Sequence, residues 1–234
     1  KFSPTYQTYN GLFDQNGFNQ FFMSHEFDFY PTESFMDFAA VGFSSSLRYD
    51  YYGTKREQVF QPYVSFTLKG QTNLYAQYLL VNDESFGGIW FKGINRFYFN
   101  INARPSNAVS LSGNAQLGKF IYRSSSPEMG VGHNLSATLT LKPTSQLNIS
   151  LSYVRARLSS EATNDLFYDG NIYRAVAIYQ FSPQMFFRTI FQYDSFAKAY
   201  QVYPLISYKL SAFTTFYAGA TSDYLNYEGT YGVT

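Results

Sequence analysis

The 234-residue chain contains no cysteine, which excludes disulfide scaffolds and thiolate metal sites. Charge is also scarce: Asp, Glu, Lys and Arg make up 14% of it, against about 25% in an ordinary globular domain. A net charge of +1 leaves no basic or acidic surplus that would point to nucleic acid or an acidic partner. No run approaches the roughly 18 consecutive apolar residues of a membrane helix, and no secretory leader is visible. What is abundant is the aromatic ring: 25 Phe and 23 Tyr bring aromatics to 21%. The mean hydropathy is nevertheless slightly polar. Few charges, many rings and moderate polarity coexist when half of each strand faces lipid and half faces a polar lumen.

Alternation with a period of two is the dominant pattern. Val109, Leu111, Gly113, Ala115 and Leu117 alternate with Ser110, Ser112, Asn114 and Gln116. Leu135, Ala137, Leu139 and Leu141 alternate with Asn134, Ser136, Thr138 and Thr140, and Leu147, Ile149, Leu151 and Tyr153 with Asn148, Ser150 and Ser152. Short turn signals punctuate this pattern at Pro31-Thr-Glu33, Lys69-Gly-Gln71, Pro105-Ser-Asn107, Pro143-Thr-Ser145, Ser182-Pro-Gln184 and Ser211-Ala212. Longer polar connections lie between them, at 50–58, 82–88, 123–130, 159–170 and 195–200.

Short turns at one end and long loops at the other predict an all-β, antiparallel up-and-down transmembrane barrel. About twelve strands are predicted, near 18–30, 35–49, 57–69, 72–83, 88–103, 107–122, 131–142, 146–157, 171–181, 185–194, 201–210 and 213–222. The count rises to fourteen if the intact protein has more. Residues 1–17 read as a partial strand or loop from an upstream region, and 18–234 as a barrel cut off near its C-terminus, with a further strand starting near Asn226. Aromatics gather near strand ends, as interfacial belts do: Phe27, Phe29, Phe35, Phe99, Phe181, Phe187 and Phe213 by the turns, and Tyr49, Tyr51, Phe91, Phe120, Tyr193 and Phe196 by the loops. Three features break the pattern. Neither phase of 171–181 is clean, Arg155 falls on the lipid phase near a strand end, and Pro62 and Pro204 fall inside strands, where bulges are expected.

The segments Tyr179-Gln-Phe-Ser-Pro-Gln-Met-Phe-Phe-Arg-Thr-Ile-Phe-Gln-Tyr-Asp194 and Ile206-Ser-Tyr-Lys-Leu-Ser-Ala-Phe-Thr-Thr-Phe-Tyr-Ala-Gly-Ala220 resemble the C-terminal barrel of a Bacteroidota outer-membrane family. Members of that family carry an N-terminal carbohydrate-binding-like domain before a barrel of unknown function. The likeness covers about 140–222 and consists of turn and strand patterns with no catalytic signature. It implies a barrel fragment of a longer protein and assigns no role to any residue.

Candidate chemistry is thin. His133-Asn-Leu-Ser136 has the residue types of a barrel hydrolase, but alternation puts His133 on the lipid phase and Ser136 on the lumen phase. His25, between Met23 and Phe27, reads as an interfacial residue rather than a metal ligand. The charged residues on the predicted lumen phase are Glu26, Asp28, Arg48, Lys69, Lys92, Arg96, Arg104, Lys142 and Arg188. They either set solute selectivity with a cationic lining or form a salt-bridged filling. Acidic loop residues Asp83, Glu84, Glu161, Asp165 and Asp169 match no calcium-loop spacing.

The expectation is a non-enzymatic, porin-like outer-membrane protein of a Gram-negative cell: a solute channel or transport component, or a membrane anchor for an attached domain. The alternatives are a structural subunit of a larger outer-membrane complex and a barrel hydrolase acting on lipid or peptide. No cofactor or metal site is expected. The expected partners are outer-membrane lipid and other outer-membrane or periplasmic proteins, with no nucleic acid.

Overall fold

A computed structural model describes residues 17–32, 35–227 and 230–233. It is all β, with strands β1 (Phe18–Phe29), β2 (Met36–Asp50), β3 (Lys55–Leu68), β4 (Thr72–Leu79), β5 (Val81–Phe86), β6 (Ile89–Phe91), β7 (Arg96–Ser106), β8 (Val109–Tyr122), β9 (Glu128–Leu141), β10 (Leu147–Ser160), β11 (Leu166–Ser182), β12 (Met185–Asp194), β13 (Ala199–Lys209), β14 (Thr215–Gly219), β15 (Ser222–Tyr227) and β16 (Thr230–Val233). They form one antiparallel meander in the order β1-β2-β3-β4-β7-β8-β9-β10-β11-β12-β13-β15-β16. β14 adds to β13, and β5 and β6 form a side hairpin on β3. Among the described residues the two ends of this sheet do not pair with each other, so the sheet is open. The expected partial strand or loop at 1–17 lies, apart from Gly17, outside the described residues.

Turn chemistry sets the hairpins. Gly70 (φ 81°) and Gln71 (φ 57°) take the left-handed conformation that a tight reversal after β3 requires. Pro183 and Gln184 form the two-residue connection between Ser182 and Met185, which pair directly. Both in-strand prolines fall where pairing on one side is interrupted. On one flank of Pro62, β3 leaves β4 at Tyr63↔Gln77 and resumes with β5 at Phe60↔Val81, so three residues face two, as in a bulge. Pro204 sits opposite the break between β14 and β15, which pair with Leu205 and Val202 at their near ends.

The strands run past the predicted boundaries at the loop end. The expected connection 159–170 shrinks to 161–165, because β10 continues to Ser160 and β11 begins at Leu166. The predicted strands 72–83 and 88–103 are each split, because 81–91 folds into the β5–β6 hairpin. This hairpin covers a small core of Phe91, Ile94 and Ile121. The predicted last strand, 213–222, is split into β14 and β15.

Direct pairing places every second residue of neighbouring strands on one face. One face is apolar. A row across it reads Phe66, Leu74, Ile101, Gly113, Ala137, Tyr153, Tyr173, Tyr193 and Tyr200. The next row towards the loops reads Val64, Ala76, Phe99, Ala115, Leu135 and Arg155. The other face carries Ser, Thr, Asn, Gln and the charges, mixed on β11 and β12 with Val176, Ile178 and Ile190. Few apolar side chains are buried: among the described residues these are Ala40, Leu79, Phe91, Ile94, Ile121, Leu158 and Ala199. By contrast Phe97, Leu117, Leu151 and Phe191 stand 41–48% exposed. Among the described residues the apolar face of this sheet is covered by no other element.

Candidate functional site

The polar face is built from the same registers. Arg48 and Glu57 face each other directly across β2 and β3 and form an ion pair at 2.7 Å. Glu26, Gly42 and Tyr63 line up across β1, β2 and β3. With only a hydrogen at Gly42, the Tyr63 ring lies over β2 and its hydroxyl donates to Glu26 Oε2 at 2.8 Å. Tyr63 stacks on Tyr75 (centroids 5.6 Å), and Tyr75 meets Tyr98 edge-on at 6.0 Å.

An amide ladder runs beside these rings. Gln77 Nε2 donates to Gln61 Oε1 at 2.9 Å, Gln61 Nε2 to Ser44 Oγ at 2.8 Å, and the Tyr75 hydroxyl to Gln77 Oε1 at 2.6 Å. Further round the sheet Asn102 bonds to Asn100, Asn114 to Ser136 and Gln192 to Gln201, while Thr138 pairs with Ser152. The polar face is thus a nearly continuous mat of neutral donors and acceptors, edged by charges. A shallow cavity of about 330 Å³ opens in it between Glu57, Gln61, Gln77, Glu84, Arg96 and Gln116.

Of the nine residues expected in a lumen, six occupy the strands of this face and three lie beyond strand ends, and they do not form one cluster. Glu26, Asp28, Arg48, Arg96, Arg104 and Arg188 are on its strands. Lys69 and Lys142 lie just past the ends of β3 and β9 at the turn end, their backbone N–H groups bonded to Phe35 and Ala108. Lys92 lies in the connection after β6. Arg96 packs its guanidinium over the Phe120 ring at 4.8 Å, and Arg104 donates to Asn107 at 3.2 Å. The buried Nε of Arg188 has no hydrogen-bond partner among the described residues. The sequence reading missed the tyrosines and glutamines that fill the gaps. Their signal was the polar phase of 57–69 and 72–83, where Gln61, Tyr63, Tyr75 and Gln77 alternate with apolar residues.

The histidines sit where alternation put them. His133 shares the apolar face with Arg155, whose Nε donates to its Nε2 at 3.0 Å, while the Ser136 hydroxyl on the opposite face accepts from Asn114. The two side chains therefore do not meet. His25 packs edge-on against Phe27 at 4.5 Å. The acidic loop residues are engaged elsewhere. Asp83 accepts the Gly93 N–H at 2.7 Å, Arg123 grips both oxygens of Glu84 at 2.7 and 2.8 Å, Thr163 donates to Asp165, and Lys119 pairs with Glu161. Among the described residues no group of three or more His, Asp or Glu side chains could hold a metal ion.

No protein-family model matches this chain. No curated protein matches it either.

Proposed function

We propose that the protein is an outer-membrane β-barrel, with its apolar face against lipid and its polar face lining a path for a small hydrophilic solute. The observation that carries this reading is the cross-strand row Tyr153–Tyr173–Tyr193–Tyr200. Its rings contact their neighbours at 5.0, 6.4 and 4.5 Å across four strands. Below it the apolar face is aliphatic and aromatic, and directly above it stand Arg155 and Asn171. A tyrosine belt between a charged rim and an apolar band marks a membrane interface.

In hydrocarbon an unpaired strand edge costs several kcal/mol per amide, so the sheet closes on itself in the membrane. The enclosed face is wet and mostly neutral, with cations gathered at its turn end, at Lys69, Arg104 and Lys142, which favours anionic over cationic solutes. The resemblance of 140–222 to a Bacteroidota barrel is consistent with this location and adds no substrate.

Two measurements test the proposal. The protein should require detergent for extraction and should raise the conductance of a planar bilayer, with a reversal potential on the anion-selective side in a salt gradient. A chain that stays in solution without detergent sinks the membrane reading. Insertion without any conductance sinks the solute path and leaves the anchoring role.

A further inference from the structure

On the apolar face of β8–β11 the charged side chains stand only at the loop end: Lys119, Arg155, Arg157 and Asp169. Lys119 is matched by Glu161. The other three are not balanced. One carboxylate, Asp169, lies 3.3 Å from Arg155 Nη2 and 3.9 Å from Arg157 Nε, and so serves two guanidinium groups at long range. His133, beside Arg157 in the register, takes Arg155 Nε. A guanidinium carries five N–H donors, so most of those on Arg155 and Arg157 remain available. Both side chains are partly exposed, at 31% and 49%.

A groove of about 630 Å³ starts immediately beneath. Its floor is Ala76, Gly113, Ala115 and Ala137, and its walls include Leu135 and Tyr153, the residues that adjoin Arg155 across and along the sheet. A second hollow of about 460 Å³ continues it, sharing Leu111, Ala137 and Tyr153. These volumes fall in the range of about 300–1,000 Å³ usual for ligand sites. The lining is almost wholly apolar. An apolar trough headed by excess positive charge is complementary to a molecule with an acyl tail and an anionic head.

We propose that this corner seats one membrane lipid with a phosphate headgroup, an acyl chain filling the groove and the phosphate lying on Arg155 and Arg157. The inference rests on the membrane reading above and goes beyond it by naming a lipid class and a site. Planar guanidinium groups match phosphate oxygens in pairs, which a lysine would not.

The test uses the full chain reconstituted in phosphatidylcholine vesicles doped with either phosphatidate or the diacylglycerol of the same chains. The chain is then extracted in mild detergent, and the lipid it retains is counted by native mass spectrometry. Phosphatidate should be retained about tenfold over diacylglycerol. The double variant Arg155→Gln, Arg157→Gln should erase that preference, and Arg155→Lys, Arg157→Lys should restore it in part. Ala137→Phe, which blocks the groove and leaves the charges in place, should lower phosphatidate retention. Inorganic phosphate at millimolar concentration should not displace the lipid.

Equal retention of the two lipids by a chain that has entered the vesicles overturns the seat alone. So does an unchanged preference in the glutamine variant, or displacement by inorganic phosphate. A chain that never enters the vesicles overturns the membrane reading and the seat with it.

Discussion

Gly42→Ala is the sharpest probe of how the polar face is assembled. A Cβ at this position would lie 2.6 Å from Tyr63 Cζ and its hydroxyl oxygen, and 2.7 Å from the His25 carbonyl oxygen. The ring can rotate away; the carbonyl belongs to the β1–β2 ladder and can move only if the strands part. Moving the ring forfeits its 2.8 Å bond to Glu26 and its stacking on Tyr75. A hydrogen bond to a charged group contributes about 1.5–3 kcal/mol, and the low end applies at this exposed site. The ring pair adds about 0.5–1.5 kcal/mol, and the backbone strain about 1–3 kcal/mol. These terms overlap, so the expected loss is about 3 kcal/mol.

Urea unfolding in detergent micelles, read by tyrosine fluorescence, should show the midpoint falling with an unchanged slope. A double-mutant cycle isolates the ring's share: with Tyr63→Ala already present, Gly42→Ala should cost less than it does alone, leaving the carbonyl clash. A cost below about 0.5 kcal/mol, or one that is the same with and without the Tyr63 ring, would refute the reasoning.

Pro62→Ala should change stability by less than about 0.5 kcal/mol in the same assay, since pairing is already interrupted there. Ser65→Pro, at a position paired to both neighbours, should cost about 3 kcal/mol. Gly132→Ala puts a Cβ 2.0 Å from the Arg157 carbonyl oxygen, so it should cost about 3 kcal/mol or more, and Leu158→Ala should not rescue it. At Gly130→Ala the closest clash is with the Leu158 side chain at 2.8 Å, and there Leu158→Ala should recover much of the loss. At the loop end, the Thr54 N–H and the Arg56 guanidinium hold the Asp50 carboxyl below its ordinary pKa. The stabilisation of that hairpin is therefore fully present above the usual aspartate range and is lost as the pH falls below it, through the lowered folded-state value. Amide exchange at Thr54, corrected for its intrinsic rate, should accelerate on acidification, and Asp50→Asn should abolish that pH dependence.

Strand positions, phases and turns were legible because alternation and Gly or Pro punctuation are local. The predicted and observed ends of β12 coincide at 185 and 194, and β4 begins at Thr72 as expected. Legibility fails above the tyrosine belt. There polar residues occur on both faces of the strands, Ser159, Ser160 and Asp169 among them, so alternation is lost and strands read as loops. The β5–β6 hairpin was hidden for another reason: its small core of Phe91, Ile94 and Ile121 is set by tertiary packing rather than by a period. The polar-face charges were found by phase, whereas the Glu26–Tyr63 bond needs the order β1-β2-β3 and an absent side chain at Gly42. No single strand reveals that combination. Arg155 read as a flaw because its row partners were unknown; His133 and Asp169 on adjoining strands turn it into part of a group.

Register connects these observations. The tyrosine row runs through hairpins that each close with a fixed number of residues: Ser182 pairs with Met185 on the turn side and Asp194 with Ala199 on the loop side. An extra residue between Pro183 and Gln184 would shift β12 by one position against β11. Tyr193 would leave its place opposite Tyr173, and Thr189, Phe191 and Tyr193 would exchange faces with Arg188, Ile190 and Gln192. Arg188 would then point to the apolar side, and if that side faces lipid as proposed, a cation near mid-bilayer costs about 2–4 kcal/mol. The closed alternative is for the chain to absorb the insertion as a bulge at the turn, as it does around Ala103 and Ser106. A one-residue insertion at 183/184 should therefore be accommodated locally and leave the belt intact. Crosslinking of cysteines placed at Tyr173 and Tyr193 distinguishes the outcomes: formation at the wild-type position supports a belt that holds the register, and crosslinking that shifts by one residue shows that the turn holds it instead.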